Sequence, residues 1–188
     1  PSGKGTSLFD VDTAEVKNIW RFVAAMKKEG IYSTISPYWA HNGHIGGWIP
    51  EEWGIEGYSG KDELWEVMYF NDRLKEGYKQ WVKYLYTEEN PYTGMPLKDD
   101  PAVALIQIKN EDGVFFWTMQ GIKPELKRLV GKLFADWIKS KYGSVAAAYE
   151  VWDGEKLEGD RPGQGVLDLY QIWTMIQPAS GGAAKRLA

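Results

Sequence analysis

A chain of 188 residues, of which 44% are hydrophobic and 26% are charged, is long enough for one globular domain with a sizeable core. Its net charge of −4 and its lack of a long basic tract argue against a nucleic-acid surface, and no apolar run approaches the roughly 18 residues of a membrane span. The absence of cysteine excludes disulfides and thiolate metal sites. It leaves the compartment open, with a secreted or periplasmic location slightly favoured over the cytoplasm.

Aromatic residues are the unusual part of the composition. The chain holds 10 Trp and 11 Tyr, whose large flat faces each carry one polar group. Such faces suit the CH-rich faces of sugar rings, and they also suit protein cores and interfaces. The count therefore favours a sugar site only slightly.

The first predicted elements are a helix and a strand. A cap at Asp12 or Thr13 and a stop at Gly30 bound the helix. Residues from Ile31 to about Ser36 are β-branched or aromatic and predict a strand, which Pro37 ends. The apolar stripe of the helix comprises Val16, Ile19, Trp20, Val23 and Met26.

Residues 38–70 show neither helical nor strand periodicity. They are rich in Gly, His and Trp, and only the stretch DELWEVMYF indicates a short helical turn. A loop this long inside a compact domain is usually functional or disordered, and its aromatic residues argue against simple disorder. We therefore expect a functional loop, in which Trp48 and Trp53 are candidates for stacking on sugar rings.

A second helix and a second strand follow the long loop. Asn71 is a good N-cap for the helix, and NPYTG, residues 90–94, predicts a turn. The run 102–109 is short and almost continuously apolar, which predicts a strand covered on both faces, as in a parallel sheet. The apolar stripe of the helix comprises Leu74, Tyr78, Trp81, Val82 and Leu85.

The remaining third of the chain reads as mainly helical. A helix is predicted from about Pro124 to Lys141, a short one over 144–152, and an apolar helical segment over 166–177, with a polar loop between the last two. The tail after residue 177 lacks a capping element. The tryptophans expected in the core, because they lie on helical apolar stripes, are Trp20, Trp81 and Trp137.

Strands that alternate with helices predict an α/β fold with right-handed βαβ units and a parallel sheet. Only two strands are evident. Two parallel strands cannot make a well-covered sheet, so either further strands escape the pattern or the chain is part of a larger fold.

In parallel α/β folds the functional groups lie beyond the carboxyl ends of the strands. Asn110 and Glu111 follow the second strand, and a carboxyl group at an apolar mouth has a raised pKa because desolvation favours its protonated form. Such a group can donate a proton to a leaving oxygen near neutral pH. The other polar and aromatic candidates at the two strand ends are Tyr38, Trp39, His41, His44, Asp112, Phe116 and Trp117.

The run NPYTGMPLKDDPAVALIQIKNEDG, residues 90–113, resembles the region around the fourth strand of the clan A glycoside hydrolases. These are (β/α)8 barrels whose acid/base Glu follows an Asn at the end of that strand. The helix with LFADWIKSKYGS and the upstream stretch AAMKKEGIYSTIS fit the same family. The resemblance extends from the helix before strand three to just before strand five, so it implies that residues 1–188 are a partial TIM (β/α)8 barrel, about half of a catalytic domain.

The resemblance also implies roles for individual residues. Glu111 is the general acid/base, and Asn110 contacts the sugar 2-hydroxyl. Retaining members need a second carboxylate as nucleophile, roughly 5–5.5 Å from the first, and the family places it after strand seven. No counterpart of that strand is found, so the nucleophile is expected outside this chain. The further substrate-binding candidates are His41, His44, Tyr38, Trp39 and Trp117.

Simpler roles stay open for these residues. Glu111 could be a solvated acid at a strand end, Asn110 a turn-forming amide, and the two histidines surface residues of the loop. No third ligand with suitable spacing stands beside the histidines, so neither a metal nor a cofactor is predicted.

Three interpretations follow. The leading one is a retaining glycoside hydrolase with a polysaccharide or oligosaccharide as its partner. The alternative is a non-catalytic carbohydrate-binding fragment that lacks the nucleophile. The third is an unrelated α/β module whose aromatic residues form a subunit interface. The sequence gives neither the sugar and linkage nor the oligomeric state.

Overall fold

The computed structural model describes residues 8–37, 67–110, 113, 122 and 124–188. Within these ranges two consecutive stretches differ in secondary structure, one with strands and one without. The sheet unit comprises residues 8–37 and 67–110, and the helical unit comprises residues 124–188.

The sheet unit begins with helix α1, Thr13–Lys28. Asp12 caps it, because one carboxylate oxygen accepts the backbone N–H groups of Ala14 and Glu15 at 3.1 Å each. Gly30, at φ +72°, ends the turn after the helix in a conformation that favours glycine. Strand β1, Ser33–Ile35, follows. The predicted helix is confirmed, and the strand is shorter than the predicted range 31–36.

Two helices and a hairpin precede the second of the two predicted strands. The four-residue helix α2, Val67–Phe70, precedes α3, Asp72–Thr87, which Asn71 caps by accepting the N–H of Leu74 at 3.0 Å. Strands β2, Glu89–Asn90, and β3, Met95–Pro96, form an antiparallel hairpin around the predicted turn. A 3₁₀ turn, Leu97–Asp99, then precedes β4, Val103–Ile106.

Strands β1 and β4 are parallel neighbours. Ser33 pairs with Val103, and Ile35 pairs with Ile106. The described residues are therefore α/β with a parallel strand pair, as the alternation of helices and strands predicts. They do not by themselves form a TIM barrel.

The core of the sheet unit lies between α1, α3 and the first strand. Trp20 is central to it, because its ring is buried and its Nε1 donates to the carbonyl of Leu85 at 3.0 Å. Burying a ring with its one donor satisfied costs no hydrogen bond. The buried members of this core are Val16, Trp20, Val23, Ile35, Leu85, Tyr86 and Leu97.

The prediction that the second strand is covered on both faces is wrong for the described residues. Leu105, Ile106 and Ile108 are 65%, 48% and 71% exposed. The core takes up Ile35 and packs against Val103, while no described element covers the side chains farther along β4. An apolar run shows what a strand is able to bury, and the neighbours decide what it does bury.

The helical unit is built on α4, Pro124–Tyr142, and α5, Val145–Val151. Ser144 caps α5 by accepting the N–H of Ala147 at 3.0 Å. The prediction of Trp137 as a core residue is wrong, because its side chain is 54% exposed. It lies on the outer part of the broad apolar stripe of α4, which the described residues do not cover. The buried core of this unit comprises Ala135, Ile138, Ala148, Trp152 and Leu167.

The end of the chain departs from the predicted pattern. Only Ile172–Met175 of the segment 166–177 is helical, as α6, and the tail folds into α7, Gly181–Leu187. A buried ion pair secures α7, since the guanidinium of Arg186 contacts Asp160 at 2.6 and 2.8 Å. Asp160 therefore has a structural role.

Candidate functional site

The carboxyl ends of β1 and β4 lie at the same edge of the sheet. Beyond the paired residues, the N–H of Gln107 donates to the carbonyl of Ile35 at 2.9 Å, which keeps the strands together to their ends. The chain then continues into Pro37 on one side and into Asn110 on the other. The two segments that carry the predicted site residues thus start next to each other.

Asn110 is the one predicted site residue that the structure describes. It is half-buried and follows β4 at this edge. The other predicted site residues lie outside the described residues: Glu111, Tyr38, Trp39, His41, His44 and Trp117. The same holds for the additional candidates Trp48, Trp53, Asp112 and Phe116.

Two side chains of α3 hold the exits of both strands. Trp81 Nε1 donates to the carbonyl of Pro37 at 2.8 Å, and the hydroxyl of Tyr78 donates to the carbonyl of Ile108. Residues three apart lie on one face of a helix. One face of the helix between the strands in sequence therefore fixes the backbone at the end of each.

The strand end also contacts α2. The Nζ of Lys109 lies 4.1 Å from the centre of the Tyr69 ring, which is a cation–π contact. Lys109 directly precedes Asn110 in sequence. A cationic and an aromatic side chain thus stand beside the candidate acid/base segment.

The hydroxyl of Tyr78 is held in its protonated form. Burial raises its pKa above the ordinary value, and the proximity of Tyr69 raises it further. The hydroxyl is therefore a hydrogen-bond donor throughout the neutral range. Its contact with Ile108 does not depend on pH there.

Asn90, in the run that resembles the glycoside hydrolases, has a structural role. It is fully buried, its Nδ2 donates to the carbonyl of Trp20 at 3.1 Å, and its Oδ1 accepts the N–H of Tyr92 at 2.9 Å. It joins the turn of the hairpin to α1. Part of the run 90–113 therefore stabilises the fold. The residues of the run that the resemblance expects to act on the sugar, Asn110 and Glu111, lie near its other end.

Asp100, in the same run, is also structural. Burial raises its pKa, but hydrogen bonds from the N–H of Ala102 and from Lys27 outweigh this and lower the pKa below the ordinary value. The Lys27 ammonium lies 3.0 Å from the carboxylate. The charged carboxylate fixes the start of β4 relative to α1.

Sequence reasoning missed the roles of Tyr78 and Trp81. Both fall on the apolar stripe of α3 and so read as core residues. The available signal was their polar group, since a buried Tyr or Trp usually places its O–H or N–H on an acceptor. Which carbonyl accepts depends on tertiary contacts that span 30 and 44 residues.

The described ranges contain neither a metal-ligating cluster nor a helix that could cross a membrane. Residues 8–37, 67–110 and 124–188 hold no cluster of three or more metal-ligating side chains. In that part of the chain, no helix combines the length and the apolar character needed to cross a membrane.

Comparison with known proteins adds no relative. No family model, no curated protein and no solved structure matches this chain.

Proposed function

We propose that the chain is part of a retaining glycoside hydrolase with a (β/α)8 catalytic barrel, acting on a polysaccharide or oligosaccharide. Glu111 is the general acid/base, and Asn110 binds the sugar 2-hydroxyl. The nucleophile is a carboxylate outside residues 1–188. The proposal joins the family resemblance of residues 90–113 to the geometry of the strand pair.

The parallel pairing of β1 with β4 carries the proposal. It ends both strands at the same edge of the sheet, and in sequence Tyr38, Trp39 and the histidines follow one strand while Asn110 and Glu111 follow the other. A hydrolase site of this kind needs a carboxyl group, a hydroxyl-binding amide and aromatic faces for the sugar at one place. Parallel strand ends supply that common starting point.

The proposed chemistry has two proton transfers. Protonated Glu111 gives its proton to the glycosidic oxygen as the bond to the sugar carbon breaks and the nucleophile bonds to that carbon. The resulting Glu111 carboxylate then takes a proton from the water that releases the sugar. General acid–base catalysis of this type contributes about 10²–10⁴-fold.

The test is Glu111→Gln in the protein that carries this chain, with Glu125→Gln as the control. Glu125 lies in the exposed first turn of α4, so its loss of charge leaves the sheet edge unaffected. We expect Glu111→Gln to lower turnover of an unactivated oligosaccharide by about 10²-fold or more. An aryl glycoside with a good leaving group should lose less, because its departure needs no proton.

Azide makes the test specific for the acid/base role. It attacks a glycosyl-enzyme without base assistance, so it should accelerate turnover of the aryl glycoside by Glu111→Gln and yield a glycosyl azide. Unchanged turnover in Glu111→Gln would contradict the proposed function. Calorimetric binding of an oligosaccharide without hydrolysis, equal in both variants, would instead identify a non-catalytic carbohydrate-binding protein.

A further inference from the structure

The end of β4 has little apolar packing to hold it. Ile106 is 48% exposed and Ile108 is 71% exposed, although both are large aliphatic residues. Side-chain burial normally fixes a strand against neighbouring elements. Among the described residues, hydrogen bonds and the Lys109–Tyr69 contact take over that task at this strand end.

Both donors come from one helix. Tyr78 and Trp81 both lie within α3, whose N-terminus Asn71 caps and whose C-terminal half is buried in the core through Leu85. Their acceptors belong to Ile108 and Pro37, the residues just ahead of the two candidate segments. A displacement of α3 would therefore move both strand exits together.

We propose that Tyr78 and Trp81 are positioning residues of the active site. They hold the backbone at Ile108 and Pro37, from which the chain runs on to Asn110 and Glu111 and to Tyr38. The inference rests on the proposed function. Positioning is a catalytic requirement in its own right, since a misplacement of about 1 Å can cost about 10²-fold in rate.

Tyr78→Phe removes the hydroxyl and keeps the ring, so it deletes the hydrogen bond to Ile108 and little packing. The chain offers a matched control in Tyr86→Phe, on the same helix. The Tyr86 hydroxyl is buried and has no hydrogen-bond partner among the described residues. Each variant loses one tyrosine hydroxyl from α3. Only Tyr78→Phe also loses a hydrogen bond to the strand end, at Ile108.

Trp81→Phe removes the indole donor at the other strand exit. Its control is Trp152→Phe, which removes a buried indole from the core of the helical unit. This control variant should lose stability without changing the strand ends. The pair separates the loss of a buried indole from the loss of the strand-end position.

Two measurements do not require turnover. We expect faster amide hydrogen exchange at residues 106–110 in Tyr78→Phe than in Tyr86→Phe. We also expect a changed pKa of the Glu111 carboxyl group, followed by carbon-13 NMR and assigned with Glu111→Gln. With a hydrolysed substrate, kcat should fall about 10-fold while KM changes less than about 2-fold, because the geometry of the reacting groups changes more than substrate binding.

The outcomes separate the two proposals. Loss of turnover in Glu111→Gln, together with an unchanged Glu111 pKa and an unchanged kcat in Tyr78→Phe, would overturn the positioning role alone. Full turnover in Glu111→Gln would overturn the proposed function and the positioning role with it. Faster exchange and a changed Glu111 pKa in Tyr78→Phe, absent in Tyr86→Phe, would support the positioning role.

Discussion

The two units of the chain hold their backbones by different means. In the sheet unit, buried neutral groups donate to distant carbonyls, Trp20 to Leu85 and Asn90 to Trp20, and they add to the ion pair of Asp100 with the partly exposed Lys27. In the helical unit, a buried ion pair joins Asp160 to Arg186. Both arrangements tie together segments that are far apart in sequence.

The difference lies in what each arrangement needs in order to persist. A neutral donor on a carbonyl keeps its bond at any ordinary pH. Burial alone would raise the pKa of Asp160, but Arg186 and the N–H groups of Asp168 and Leu157 outweigh it and lower the pKa below the ordinary value. The helical unit therefore loses stability in acid, as the pH falls from about 4 through the lowered pKa.

Breaking the ion pair should give the largest effect. Arg186→Met leaves the Asp160 carboxylate buried without its charged partner, and the expected loss is about 3–5 kcal/mol of unfolding free energy. Urea denaturation at neutral pH measures it. The control is Lys185→Met, which breaks the Lys185–Asp153 pair, whose side chains are 51% and 55% exposed. That change should have almost no effect, and an equal loss in both variants would contradict the comparison.

Asn90→Ala should give a smaller loss in the sheet unit. It leaves the buried carbonyl of Trp20 and the partly buried N–H of Tyr92 without their partner, at an expected cost of about 2–3 kcal/mol. The same denaturation experiment checks it, with Asn18→Ala on the exposed face of α1 as the control. A loss below that of the control would show that the buried amide adds nothing to the hairpin.

The smallest expected effect is an alkaline one. Burial raises the pKa of Tyr86 to about 12, from an ordinary value of 10.0. The folded state retains a proton that the unfolded state loses, so this contribution is complete below about pH 10 and disappears as the pH rises toward 12. As the pH rises, Tyr86→Phe should therefore lose about 1–2 kcal/mol less unfolding free energy than the wild type. Denaturation midpoints of the wild type and the variant at about pH 8 and pH 11 measure it. An equal loss of stability between these two pH values in both proteins would contradict it.

Local signals in the sequence predicted the helix starts accurately. Asp12, Asn71 and Ser144 each bond a backbone N–H within three residues, so their role depends only on nearby chain. The parallel relation of the two strands followed from the helices between and around them. These features needed no knowledge of distant contacts.

The features that the sequence did not predict are long-range. Arg186 meets Asp160 across 26 residues, and neither residue differs in pattern from a solvated surface charge. The exposure of Trp137 and Leu105 depends on which elements cover them, and an apolar pattern does not carry that information. Of the candidate site, the sequence predicted that the two strands end at one edge of the sheet, but not the side chains of α3 that hold this edge; the role of Asn110 stays a prediction.

The anchoring of both strand exits has a consequence for protein engineering. The segment 38–66 leaves from Pro37, which Trp81 holds, and returns to α2, where Tyr69 meets Lys109. Its two attachment points are therefore fixed by contacts outside the segment. Lengthening a loop between fixed points costs little, about 0.6 kcal/mol for each doubling. Segments of other lengths and compositions could be grafted between Pro37 and α2 while the strand ends keep their place.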